Sequence, residues 1–474
     1  MIYLVSNQQT LFNLEGIENI SVSKSLSLLS QLQVVGLDTE TRGIDPWTKE
    51  LLSVQLGCYD FQVVIDCTTV DITLYKDFLE SDRLFIGWNL KFDIKFLLHK
   101  GIVLKNVYDG FLAEKLMWLG YPTGMHSMSL KSAGYEYLGI ELDKSVRGKI
   151  IWAGLTHDVI IYAALDVKYL EQIREKQLAE LSDRGLLIAI DYENRFVLPL
   201  AYCEYCGIKL DEERWKRKMK KDQERVDRAI KNLNEWFLEN QPNSKYIKVE
   251  RQGDLFTGFD LTPKVTINWD SVKQVIPIFK QYGVDTLTLD KNTKIAKDSI
   301  DAKILKPQSD KCSLIPLYLD YKEAVKVTST YGENFLKQVN PVSHRIHTNF
   351  SQLGADTTRI TSGGKDKENN VEYANLLNLP KNAETRACFI AEPGNKWISI
   401  DYSGQETYLM ASIANDEAII KELTEGSGDI HSLTAYLSYK EIPRDLPITA
   451  IKKYSKESHE KGGLDYRQEA KGIE

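Results

Sequence analysis

The stretch Val34-Val35-Gly36-Leu37-Asp38-Thr39-Glu40-Thr41-Arg42 is a short apolar run that breaks into two acidic residues one position apart. Alternate side chains of a strand share a face, so Asp38 and Glu40 point together off its end. Two carboxylates converging in this way repel each other unless a cation sits between them, and hard oxygen ligands suit Mg²⁺ or Mn²⁺. An ordinary turn after a strand, with both acids solvated, is the competing reading of this stretch taken alone.

The neighbouring segments extend the sheet. Residues 51–57 (Leu-Leu-Ser-Val-Gln-Leu-Gly) and 62–66 (Gln-Val-Val-Ile-Asp) read as two further strands, so the acidic strand opens an antiparallel meander. Leu84-Phe85-Ile86-Gly87 is another short strand. It leads into Asn89-Leu90-Lys91-Phe92-Asp93, after which Phe92, Phe96 and Leu97 take helical spacing, placing Asp93 in a first turn, where the helix dipole favours an acid. In His157–Val167, Tyr162 and Asp166 are four apart and stack on one helical face, with Ile161, Leu165 and Tyr169 on another.

Size and composition bound what the rest can be. A chain of 474 residues accommodates two to four domains, and 43% apolar with 27% charged content is that of a globular protein. No segment approaches the roughly 20 apolar residues of a membrane helix, and Met1-Ile2-Tyr3-Leu4-Val5 lacks a secretory n-region. The expectation is a cytoplasmic protein with no membrane partner. Cys58, Cys67, Cys312 and Cys388 are isolated, and Cys203 and Cys206, at helical spacing within an apolar stretch, read as packed residues rather than half of a zinc set.

The net charge of −7 excludes a globally basic coat but not local phosphate binding, since metal-dependent nucleases concentrate acids in their sites. Arg214–Lys231 holds nine Lys or Arg against three acids, and Trp215, Met219, Val226, Ile230, Leu233 and Phe237 recur as the apolar stripe of an amphipathic helix. Ahead of it, Ile208-Lys209-Leu210 is a short extended piece that Asp211 caps into this helix. Residues 240–266 read as loop or hairpin, Leu317–Leu336 as a helix, and His344–Phe350 as a strand whose two histidines lack a third metal ligand.

Taken in order, D-x-E on a strand, N-L-K-F-D and Y-x-x-x-D resemble the exonuclease motifs of the DEDD superfamily in its tyrosine form, as found in the proofreading domain of family A DNA polymerases. The resemblance implies that Asp38, Glu40, Asp93 and Asp166 hold two Mg²⁺ or Mn²⁺ ions while Tyr162 orients the attacking water. A tyrosine is a poor base at neutral pH, its reference pKa lying near 10, so positioning is its expected role. It also implies a ribonuclease H-like exonuclease domain over 1–185, a helical thumb region over 186–343, and a partial α+β palm with the start of the fingers over 344–474. Lys216 and Lys220 of the basic helix, with Asn89, are then candidate DNA contacts.

Further resemblances follow in the last third. Gly354–Ser362 is similar to the family's T-G-R-L-S-S element, with Thr358 in place of the usual Gly, and Asn375–Pro380 to its N-L-Q-N-I-P. Arg359 and Asn375 are the DNA-binding candidates there. Lys396–Glu406 resembles polymerase motif A: a strand ending at Asp401, which with the Tyr402 carbonyl would bind catalytic ions, then Glu406 beneath the incoming sugar. Asp429–Ala435 resembles D-I-H-x-x-T-A, placing His431 near the triphosphate. Arg467 and Lys471, four apart, resemble the R-x-x-x-K of the fingers helix and would cradle phosphates.

The sequence stops before the His-Asp-Glu element that carries the second polymerase acid, so the chain alone is not expected to extend a primer with dNTPs; a split polymerase completed by a second polypeptide, an interrupted gene and a truncated sequence are the three explanations. The expected partners are primer-template DNA and a single-stranded 3′ end, in a bacterial or phage-infected cell. Two other readings are a DNA-binding subunit of a split polymerase and a ribonuclease D-like RNA 3′ exonuclease. The latter shares the Asp38 to Asp166 pattern but leaves Asp401 to Glu406 without a role.

Overall fold

The computed structural model describes the chain except residues 123, 143–145, 147–148, 255–257, 290–294, 367–369, 462 and 473–474. The described residues form two compact units, 1–393 and 394–474.

The first unit opens with a seven-stranded mixed sheet built from β1 (Ile2–Val5), β2 (Ile17–Asn19), β3 (Val34–Thr41), β4 (Leu51–Gly57), β5 (Gln62–Asp66), β6 (Leu84–Gly87) and β7 (Asn106–Asp109) in the order β2-β1-β5-β4-β3-β6-β7. β3, β4 and β5 form the expected antiparallel meander, with Asp38 opposite Gln55 and Leu56 opposite Val63. β6 and β7 continue it in parallel on the other edge. Every residue of β4 and β5 is buried, as befits central strands covered on both faces. Val35, Leu37, Val54, Leu56 and Phe85 are fully sequestered, each worth on the order of 1.5–3 kcal/mol of apolar burial.

Helices Lys91–His99, Gly110–Met117, His157–Lys168, Leu170–Asp183 and Leu187–Cys206 pack around this sheet. Asp109 caps the second of them through the Phe111 N–H and also accepts the Asn89 and Leu90 N–H groups, tying the start of the 91–99 helix to β7. Cys206 is half-buried but Cys203 is exposed, so the packed reading fails there: 199–206 presents Leu200, Ala201 and Glu204 inward, and Cys203 falls on the opposite side.

Beyond the three-residue strand Ile208–Leu210, Asp211 accepts the Arg214 N–H and starts a helix running from Glu212 to Asn240, as expected. Its buried stripe takes in Trp215, Val226, Leu233 and Phe237, while Met219 and Ile230 lie at its margin and Ala229 and Trp236 join it. A second core forms where this helix meets Val272–Gln281 and Leu314–Tyr331. Residues 240–266 contain the hairpin Ile247–Asp254 with Gly258–Val265. The helix expected over Leu317–Leu336 starts at Leu314, ends at Tyr331, and is followed by a separate turn Glu333–Leu336.

Between His344 and Phe350 only Arg345–Ile346 pairs as a strand, and Phe350–Ser351 begins another. His344 has φ 56°, a left-handed backbone that breaks the extended run. Arg345–Ile346 and Phe389–Ile390 flank Ile208–Leu210 in an antiparallel sheet.

The second unit holds helices Gln405–Ala414, Glu417–Thr424, Ile430–Ser438, Ile448–Glu460 and Tyr466–Ala470, around a small core of Ala435, Ile442, Ile451 and Ala470. The strand expected over Lys396–Ile400 is absent: the segment is unpaired among the described residues and Ile400 is 90% exposed. A lone strand leaves its N–H and C=O groups without a ladder, and no strand is described within residues 394–474 to supply one. Among the described residues no helix is long and apolar enough to cross a membrane.

Candidate active site

Oxygen atoms of Asp38, Glu40 and Asp166 lie within 4.8 Å of one another. Alternation along β3 supplies the first two and the 157–168 helix the third. Gly36 makes this meeting possible: a Cβ there would stand 2.6 Å from the Val167 carbonyl oxygen, so only glycine lets the helix settle this closely on β3. Three oxygen donors at such a spacing, with Asp166 buried and the others half-buried, suit a hard divalent cation.

Tyr162 is nearly buried one turn before Asp166. Burial, then the charges of Asp166, Glu40 and Asp38, hold its phenol far above the ordinary tyrosine range. It is therefore a protonated hydrogen-bond donor, which removes it as a general base and leaves positioning.

Asp93 is not part of this trio. It sits in the first turn of the 91–99 helix as expected, but the Thr39 hydroxyl donates to its Oδ1 at 2.6 Å. By strand alternation Thr39 faces away from Asp38 and Glu40. Burial pushes the Asp93 carboxyl up to about 7, against the hydrogen bond from Thr39, which pulls it down. The folded chain then holds a proton that the unfolded chain, with a carboxyl pKa near 3.9, releases. Stability of the metal-free protein consequently falls as pH rises between about 4 and about 7 and levels off above. Asp93→Asn retains an acceptor for Thr39 and removes this contribution. In EDTA, the melting temperature of the parent is expected to drop more between pH 5 and pH 8 than that of the variant. Buried Asp109, pushed up to about 6, adds a slope of the same sign to both proteins.

The candidate DNA contacts are placed as follows. Asn89 is exposed with φ 62° beside the start of the 91–99 helix. Lys216 pairs with Glu213 at 2.9 Å, whereas Lys220 is exposed, and both line a cleft of about 480 Å³ with Thr328 and Ser329. Much of the remaining charge of this helix is neutralised: Lys221 pairs with Glu384, Arg225 with Asp320, and Lys218 is buried against Asp222. Arg359 is exposed in the loop between Phe350–Ser351 and Thr361–Ser362, next to Thr358 with φ 64°. A threonine there adopts a left-handed backbone that a glycine would take without strain. Asn375 accepts from the Ser362 hydroxyl at 3.0 Å and from the Asn378 N–H, an anchoring role for this hairpin.

In the second unit Asp401 and Tyr402 are exposed. Glu406 falls in the first turn of the 405–414 helix and His431 in that of the 430–438 helix. Arg467 is engaged by a group the sequence did not flag, donating from Nε and Nη2 to the two oxygens of Asp429 at 3.0 and 2.9 Å. Lys471 is exposed just past the 466–470 helix, and Ile473 and Glu474, which follow the R-x-x-x-K spacing, lie outside the described residues.

A mixed sheet carries the acidic centre on β3, beside its middle strand β4, and a helix-rich region follows. The family model described as 3′-5′ exonuclease matches residues 18–182, and that of DNA polymerase family A matches residues 258–446. The two matches together support a family A DNA polymerase with its 3′-5′ exonuclease region. It is 26% identical over 441 residues to DNA polymerase I of Borreliella burgdorferi, covering 89% of this chain and 44% of that one. It is 26% identical over 437 residues to DNA polymerase I of Chloroflexus aurantiacus, covering 86% of this chain and 42% of the relative. The chain thus spans less than half the length of these curated relatives. The solved POL domain of Pol1 from M. smegmatis, in complex with DNA primer-template and dNTP, superimposes with a TM-score of 0.68 at 19% identity, over 95% of this chain and 69% of that one. That likeness establishes the fold. None of these comparisons supports a second polypeptide.

Proposed function

We propose that the first region is a 3′-to-5′ exonuclease that hydrolyses DNA ends with two divalent ions, Mg²⁺ or Mn²⁺, and that the later regions serve templated synthesis in DNA replication. The observation that carries this reading is the convergence of Asp38, Glu40 and Asp166 within 4.8 Å beside a phenol held protonated. When bound, such ions activate a water and stabilise the attacking and leaving oxygens of phosphoryl displacement. The trio suits one ion; the four-carboxylate reading adds Asp93 for the second, and its hydrogen bond with Thr39 then has to give way for its carboxylate to turn towards the trio. Tyr162 donates its hydrogen bond and orients the attacking water.

The division into an exonuclease domain over 1–185, a thumb over 186–343 and a palm with the start of the fingers over 344–474 accompanies this reading. Lys216, Lys220, Asn89, Arg359 and Asn375 contact primer-template DNA. Asp401 with the Tyr402 carbonyl holds polymerase ions, Glu406 meets the sugar of a dNTP, and His431, Arg467 and Lys471 meet its phosphates. A triphosphate at Arg467 has to compete with Asp429 for the guanidinium. We place the protein in the cytoplasm of a bacterial or phage-infected cell.

The test is to incubate 5′-labelled single-stranded DNA and RNA with the protein, with and without Mg²⁺. The expected result is Mg²⁺-dependent stepwise shortening of the DNA. Intact DNA in Mg²⁺ and Mn²⁺ would overturn the reading, and shortening of RNA alone would support the ribonuclease D-like alternative, which the polymerase match over 258–446 disfavours.

A further inference from the structure

The 150–153 turn, immediately before the helix that bears Tyr162 and Asp166, exposes two large apolar side chains side by side: Ile151 at 46% and Trp152 at 76%. A tryptophan this bare is uncommon on a folded surface, and here its position is fixed rather than incidental. The turn packs against β3, and Arg42 Nη1 donates to the Ile151 carbonyl at 3.3 Å. Arg42 follows Glu40 by two residues, and its guanidinium also pairs with Glu50 at 2.9 Å. Behind the turn, Leu155 packs on buried Leu52 and Val159. Both segments that supply the carboxylates therefore brace the turn: β3 through Arg42, and the 157–168 helix through its own beginning.

Charge accompanies the bare ring. Lys149, exposed, immediately precedes the turn, and Arg42, its guanidinium shared between Glu50 and the Ile151 carbonyl, borders it, so basic residues accompany the bare ring along the chain. Surfaces that hold unpaired strands without regard to sequence combine these two elements, the cations following phosphates and the ring stacking on a base. We propose that Trp152 is a stacking platform for the unpaired DNA strand whose 3′ end enters the Asp38, Glu40 and Asp166 centre. The inference rests on the nuclease reading for the identity of its occupant, but it concerns strand binding rather than hydrolysis.

The two can be tested apart. Binding of a short fluorescein-labelled oligothymidylate to the full chain, followed by anisotropy in EDTA, requires no catalysis. Stacking of one base is worth about 1–3 kcal/mol, so Trp152→Ala is expected to weaken binding about 5- to 150-fold while Trp152→Phe, which keeps a π face, retains most of it. In Mg²⁺ the alanine variant raises the KM for single-stranded DNA without an equal fall in kcat. Equal affinity of parent and alanine variant would overturn the proposal, as would a loss shared equally by the phenylalanine variant. If instead the parent binds the oligonucleotide through Trp152 yet fails to cleave it, the platform stands and the nuclease reading falls.

Discussion

Asp38→Ala or Asp166→Ala is expected to lower Mg²⁺-dependent shortening of single-stranded DNA by more than about a hundredfold. Disturbing a group one step removed from a metal already costs 10- to 100-fold in affinity or activity, and these variants delete a donor itself from a set of three. The metal-free fold should survive the change, because removing one of three clustered carboxylates relieves the repulsion among the others. The measurement therefore pairs the cleavage rate with a melting curve in EDTA and a titration with Mn²⁺. Lost cleavage, weakened Mn²⁺ binding and an unchanged or raised melting temperature together support the centre. Full activity in either variant removes it. Tyr162→Phe keeps the ring packed and deletes only the hydroxyl, so its defect should be smaller and should leave Mn²⁺ binding in place, since the protonated phenol is a donor and not a ligand.

Two local periodicities pair the residues in the sequence, period two putting Asp38 with Glu40 and a four-residue step putting Tyr162 with Asp166, whereas the expectation that the pairs meet comes from the resemblance of the motifs. Their meeting needed one more feature, Gly36, whose missing side chain is what the Val167 carbonyl occupies. That glycine is visible in the sequence, but its role depends on which helix crosses it. Asp93 shows the limit. Its place in a first turn follows from spacing, whereas its hydrogen bond to Thr39 depends on how the 91–99 helix lies across the sheet. Lys396–Ile400 reads as a strand on local pattern, but a strand exists only when a neighbour receives its hydrogen bonds, and local pattern does not reveal the neighbour. The Asp429 partner of Arg467, 38 residues away, likewise cannot be read from a four-residue step.

Glu204 is the residue that sequence reasoning missed entirely, and its replacement should have the largest effect on stability. Its side chain, 1% exposed, takes Lys91 Nζ at 2.5 Å, Lys95 Nζ at 2.8 Å and the Phe350 N–H at 2.6 Å. The two lysines flank Asp93 on the 91–99 helix, so one carboxylate fastens that helix to the 187–206 helix and to residue 350. Lys91 also donates to Asn349 Oδ1 and the Phe350 carbonyl, and Lys115 to the Ser351 hydroxyl and Gln352 carbonyl.

Glu204→Ala leaves two mostly buried ammonium groups without their counter-charge, a change that typically costs 3–5 kcal/mol. Burial already pulls Lys91 below its ordinary value, with Glu204 the main force holding it up. Without the carboxylate its folded pKa falls further below that of the unfolded chain. The folded state then binds fewer protons than the unfolded one, so stability rises as pH increases towards the lysine range. The deficit of Glu204→Ala should therefore be about 3–5 kcal/mol at pH 6 and smaller at pH 9, read from denaturant unfolding of parent and variant side by side. Glu204→Gln keeps an acceptor for the Phe350 N–H and should lose less. A variant that unfolds at the parent's denaturant concentration at both pH values would show that the carboxylate fastens nothing.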